Sequence, residues 1–129
     1  MVTTFPKKRF NIEESKIDPN TLAAGRYGTQ EMCEIFGSEK TFEYSLIVQA
    51  QAAKTLSRLY PDIVSKEDAI EIENKANLKI INPSRIRELE AKTGHDVIAI
   101  NTALEEVVND SAKTQINKGK TSADTTQPA

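Results

Sequence analysis

The chain holds one histidine, His95, within Thr93-Gly94-His95-Asp96-Val97. Thr93 stands three positions ahead of Asp96, the spacing of a helix capping box. The same spacing returns at Thr121-Ser122-Ala123-Asp124, directly after Lys118-Gly119-Lys120. A hydroxyl, an aspartate and the free amides of a helix start together suit the binding of an anion. At the second stretch, Thr121, Ser122 and the ammonium groups of Lys118 and Lys120 would converge on those amides as an oxyanion or carboxylate site. A third pattern, Gly25-Arg26-Tyr27-Gly28, offers arginine's planar fork of donors to a phosphate or carboxylate. Taken singly, each pattern is more often a capped helix, a solvated lysine pair or a surface arginine beside a packing tyrosine.

His95 is expected in the first turn of a helix running from about Gly94 to Asn109, where unpaired amides and the positive end of the dipole gather. That place disfavours a second positive charge, so the imidazole tends toward its neutral form and could accept or relay a proton. The plain alternative is a histidine that packs or hydrogen-bonds at a helix start. Val97, Ile100, Leu104, Val107 and Val108 give this helix one apolar face.

The elements ahead of it read as helices that position it. Met32, Ile35 and Phe36 share one face of a short helix ended by Gly37. A long helix follows from Ser38 to Tyr60, before Pro61, with Phe42, Leu46, Gln49, Ala50, Ala53, Leu56 and Tyr60 at steps of three and four. Only Gln49 breaks the apolar character of that stripe. Ser65-Lys66-Glu67-Asp68 has capping-box spacing and opens a helix to about Asn77, burying Ala69, Ile70 and Ala76. Leu78-Lys79-Ile80-Ile81 reads as an extended connector. Asn82-Pro83 starts a further helix that buries Ile86 and Leu89 and ends at Gly94. Asp110 to Lys120 reads as a polar loop. Met1 to Gly25 is an irregular arm, with a turn at Asp18-Pro19-Asn20.

The 129 residues make one domain's worth of chain, long enough for a core. Seventeen basic against nineteen acidic residues leave a net charge of −2, which gives no electrostatic reason to expect a nucleic-acid partner. No apolar run approaches the ~20 residues that span a bilayer, so no membrane partner is expected. Lys7-Lys8-Arg9 lacks the apolar run of a secretory signal. The single Cys33 cannot form an internal disulfide, which fits a reducing compartment and makes the cytoplasm the expected location. Aromatic residues are only 5% and tryptophan is absent, so the core must rest on Leu, Ile, Val and Ala. That composition favours a mainly all-α fold.

Four stretches in order carry a resemblance. Arg26-Tyr27 with Glu31-Met32 and Ile35-Phe36, then Ser84-Arg85-Ile86 with Glu88 and Glu90, then Thr93-Gly94-His95-Asp96-Val97, and then Gly119-Lys120-Thr121-Ser122-Ala123-Asp124 resemble the N-terminal region of the adenylosuccinate lyase family, in the fumarase/aspartase superfamily. The resemblance implies a small helical N-terminal domain over residues 26–117, preceded by an arm at 1–25. Residues 118–129 would then begin the central helical domain, and a helix opened at Thr121 with the chain stopping at Ala129 reads as truncated. It implies elimination of fumarate from adenylosuccinate to leave AMP, and the matching step on the succinylated imidazole-carboxamide ribotide of purine biosynthesis. No cofactor and no metal are implied. The partners implied are a small nucleotide substrate and, in the full-length protein, three further copies in a homotetramer.

By the same resemblance, Arg26 and Tyr27 would hold the nucleotide phosphate, His95 would be the catalytic histidine, and Thr121 and Ser122 would bind the succinyl carboxylate. Asp96, Asn117, Lys120 and Arg85 are further candidates. Asn117 stands where many members carry a histidine, and an amide cannot transfer a proton at neutral pH. Gly94 stands where an arginine is often found. The second catalytic histidine and the mobile serine loop of the family lie beyond Ala129, so the 129 residues alone are expected to be inactive. Two other readings remain at this level: another fumarate-releasing lyase such as argininosuccinate lyase, or a non-catalytic helical interaction module.

Overall fold

The computed structural model describes residues 30–129. The arm at 1–25, Arg26 and Tyr27 lie outside the described residues. Among the described residues every regular element is a helix, as the composition predicts. They are α1 (Gln30–Phe36), α2 (Ser38–Leu59), α3 (Lys66–Lys75), α4 (Pro83–Thr93), α5 (Asp96–Glu105), α6 (Asp110–Lys113) and α7 (Ser122–Thr126). The chain divides after Lys40 into two units. In the first, α1 leaves the expected apolar face of Met32, Ile35 and Phe36 exposed.

The second unit is built along α2. Its 22 residues would extend roughly 33 Å. Phe42, Ser45, Leu46, Gln49, Ala50 and Ala53 form its buried stripe. The helix ends one residue earlier than expected, and Tyr60 is exposed rather than part of that stripe. Around α2 the core gathers Ile72, Ala76, Ile81, Ile86, Leu89, Ala99, Ile100, Ala103, Leu104, Val108 and Ala112. Burying a side chain such as Leu46 or Ile86 stabilises the fold by about 1.5–3 kcal/mol.

Local caps set most of the helix boundaries. Ser65 Oγ accepts from the Asp68 amide at 3.1 Å and starts α3. The buried isoleucine of α3 is Ile72, three positions after buried Ala69, and not Ile70, which is exposed. A step of one residue turns the side chain about 100° around the helix, which carries Ile70 off the core face. Residues 77–81 are a turn and not an extended connector. The Asn77 side chain accepts from the Lys79 amide at 3.1 Å, and the Asn77 carbonyl accepts from Ile80 and Ile81 at 3.2 and 3.0 Å. Asparagine's amide competes for nearby backbone donors in this way. The turn drops Ile81 into the core.

Asn82 caps α4 through the Ser84 amide at 2.9 Å, with Pro83 at the first helical position. Gly94 ends α4 at φ +66°, its amide donating to the Glu90 carbonyl at 2.8 Å. Only Gly94 and His95 separate α4 from α5, and the two helices pack against each other. The expected polar loop at 110–120 holds a helical turn, α6, capped by Asn109 Oδ1 on the Ala112 amide at 2.9 Å. Ala112 is fully buried, which anchors that turn to the core.

Candidate functional site

His95 is the N-cap of α5, one position outside the first turn where the sequence placed it. The capping box expected between Thr93 and Asp96 does not form. Thr93 is the last residue of α4, and its hydroxyl instead braces the backbone of His95, accepting from its amide at 3.3 Å and donating to its carbonyl at 3.1 Å. Asp96 is already helical, and its carboxylate accepts from the Val97 amide at 2.7 Å. Left-handed Gly94 turns the chain sharply between the two helices, and this turn presents the imidazole.

The two ring nitrogens of His95 have different surroundings. Nδ1 is buried and lies 3.2 Å from Asp96 Oδ1, but off the line of a hydrogen bond, so the carboxylate acts as an electrostatic neighbour. Nε2 lies 3.4 Å from Ser122 Oγ. A carboxylate beside Nδ1 favours the tautomer with the proton there, which leaves Nε2 as the acceptor toward Ser122. The separation is at the long end of a hydrogen bond. The two segments singled out in the sequence therefore meet, 27 residues apart in the chain.

Ser122 opens α7, where the Asp124 carboxylate accepts from the Thr121 amide at 2.9 Å. Thr121 is exposed at the N-cap. The lysines do not converge there. Lys118 Nζ donates to the Ile63 carbonyl at 3.3 Å and to Gln115 Oε1 at 2.7 Å. Lys120 Nζ turns inward and donates to Gln49 Oε1. Burial lowers the Lys120 pKa from 10.5 to about 8, against the opposing pull of the Asp124 charge.

Gln49, a polar residue in the buried stripe of α2, is the centre of a polar cluster that the sequence did not reveal. It is 2% exposed, and its Nε2 approaches Asn101 Oδ1 at 2.8 Å, Asn117 Oδ1 at 3.2 Å and Thr125 Oγ1 at 3.3 Å. An amide nitrogen has two hydrogens, so the longer contacts share one. Asn117 adopts φ +59°, a left-handed conformation that asparagine tolerates. The signal available in the sequence was a glutamine where the stripe called for an apolar residue. Nothing local named its partners.

Arg85 is engaged elsewhere. Its guanidinium grips Glu106 at 3.0 and 2.6 Å and Glu88 at 2.7 Å, and Lys92 also holds Glu88 at 2.6 Å. These exposed partners raise the arginine pKa, Glu106 first and then Glu88, and the cations hold both carboxyls below their ordinary range. Among the described residues no group of three or more His, Cys, Asp or Glu is placed to hold a metal ion. None of the described helices is long and apolar enough to cross a membrane.

No family model matches the chain, and no solved structure matches it. Curated relatives do. The chain is 40% identical to the adenylosuccinate lyase of Methanocaldococcus jannaschii over 99 residues, 77% of this chain and 21% of that protein. It is 33% identical to that of Pyrococcus abyssi over the same shares. To that of Streptococcus mutans it is 33% identical over 81% of this chain and 23% of the relative. The chain thus spans about a fifth of the length of the curated relatives it matches. Several relatives of one name align with most of these residues, so the chain is similar to one segment of the adenylosuccinate lyases.

Proposed function

We propose that the chain is the N-terminal portion of an adenylosuccinate lyase, whose parent protein eliminates fumarate from adenylosuccinate to give AMP and from the succinylated imidazole-carboxamide ribotide in purine biosynthesis. The observation that carries the reading is the approach of Ser122 Oγ to His95 Nε2. It joins a proton-relaying group to a hydroxyl at a helix start, next to where a carboxylate would be held. In the elimination, a base takes a proton from the carbon beside a carboxylate, the C–N bond breaks as the C=C bond forms, and an acid protonates the departing nitrogen. His95 would hold or pass a proton at Nε2, with Asp96 beside Nδ1 favouring the required tautomer. Thr121 and Ser122 would bind the succinyl carboxylate. Arg26 and Tyr27 would take the nucleotide phosphate.

On this reading the remaining walls of the site come from elsewhere in a cytoplasmic homotetramer, and the 129 residues release no fumarate alone. The N-terminal lyase domain would then run to 117, and 118–129 would start the central one. The test is an assay of fumarate release from adenylosuccinate by the chain extended through its downstream reading frame. Release by the extended tetramer is the expected result. A tetramer that binds adenylosuccinate without cleaving it would defeat the proposal.

A further inference from the structure

We propose that Gln49 is the positioning residue of the His95–Ser122 pair, fixing from inside α2 both elements that carry it. The catalytic meaning of this role rests on the lyase reading, but the geometry does not. Ser122 hangs on a segment with little structure of its own. Between α6 and α7 the chain runs through turns, with left-handed Asn117 and Gly119 and with long backbone bonds of 3.4 Å from Lys118 to Gln115 and 3.3 Å from Lys120 to Asn117. Something outside the segment must hold its position.

Gln49 does so from a rigid helix. Its Oε1 takes the Lys120 ammonium, and its Nε2 reaches Asn117 and Thr125, at the near and far sides of Ser122. Thr125 is fully buried and lies three positions after Ser122, close to one helical turn along α7. The remaining contact, at 2.8 Å, goes to Asn101 on α5, the helix whose N-cap is His95. One side chain therefore touches the serine's segment three times and the histidine's helix once. For the core alone an apolar residue would serve better, because a buried amide costs stability unless its partners are met. Between Leu46 and Ala53 the stripe gives up that advantage at this single position.

The single histidine makes the test direct. In the ¹⁵N-labelled 129-residue chain at fixed pH, the two ring nitrogens of His95 give one identifiable pair of signals, and Ser122→Ala defines how they move when the serine contact is lost. Gln49→Met, which keeps the volume and removes every polar contact, should move them in the same direction and at least half as far. Thr125→Val should do the same, and Thr125→Ser should restore the wild-type position. Lys54→Met, which cuts the 2.6 Å bond from α2 to Glu73, should move nothing. If Gln49→Met does not fold, the Thr125 pair decides. Wild-type signals in Gln49→Met or Thr125→Val, or in Ser122→Ala itself, would overturn the proposal. A positive result here together with no fumarate release from the extended chain would defeat the lyase reading and leave the positioning role standing.

Discussion

Lys120 Nζ donates to Gln49 Oε1 across 71 residues of chain, so a partly buried ammonium is held by a neutral amide and not by a carboxylate. Burial, only partly opposed by the Asp124 charge, depresses the lysine pKa to about 8, below the 10.5 of the unfolded chain. Between those two values the unfolded state binds more protons than the folded one, so stability rises with pH across the window and is lowest below it. With solvent screening at a half-exposed group discounted, the gain should be ~1 kcal/mol. Urea unfolding at about pH 7 and about pH 10 measures it, and Lys120→Met should remove this component of the pH dependence. Equal pH dependence in the two proteins would show that the ammonium is not desolvated.

Gly94 stands at φ +66°, and a Cβ added there meets nothing within 4 Å. The penalty for a side chain is therefore backbone conformation alone, about 1–2 kcal/mol. Gly94→Ala and Gly94→Arg should lose the same amount in urea unfolding. A much larger loss for arginine would mean that its side chain collides beyond Cβ.

What the sequence disclosed was local. Ser65, Asn82-Pro83 and Gly94 mark helix boundaries because a cap needs only its own next few residues, and each works as its chemistry requires. Asn109 carried the same kind of cap signal for α6, but four helical residues are too few to show a period. Thr93 misled because two helices abut there, and the hydroxyl that could cap the second helix belongs to the end of the first. The approach of His95 to Ser122 was legible only as two matching motifs. Gln49 stood out only as a break in an apolar stripe, and its partners were not legible, since 101, 117, 120 and 125 are brought together by packing and share no spacing.

Arg85 was a candidate for the site, yet its donors are occupied by Glu106 and Glu88. Exposed ion pairs are screened by salt. Arg85→Met should therefore lower the melting temperature more at low than at high ionic strength, and it should leave the His95 ring signals unmoved. A displaced His95 signal would return Arg85 to the site.

His95→Ala separates catalysis from folding. His95 caps α5 with its backbone and makes no side-chain cap bond, so α5 starts without the imidazole. The apolar anchor of that helix is Val97, Ile100 and Leu104, all nearly or fully buried and untouched by the substitution. Alanine is a poorer N-cap than a residue with a bonding side chain, but His95 offers no such bond to lose. Urea unfolding of the 129-residue chain should therefore change by less than ~1 kcal/mol. On the lyase reading, the same substitution in the extended protein should reduce fumarate release by at least the roughly 100-fold typical of losing a proton-transfer group. Ser122→Ala should raise KM more than it lowers kcat if its hydroxyl holds a carboxylate that is present in both substrate and transition state. Full turnover in His95→Ala would remove the imidazole from the chemistry and leave His95 as a cap at the junction of α4 and α5.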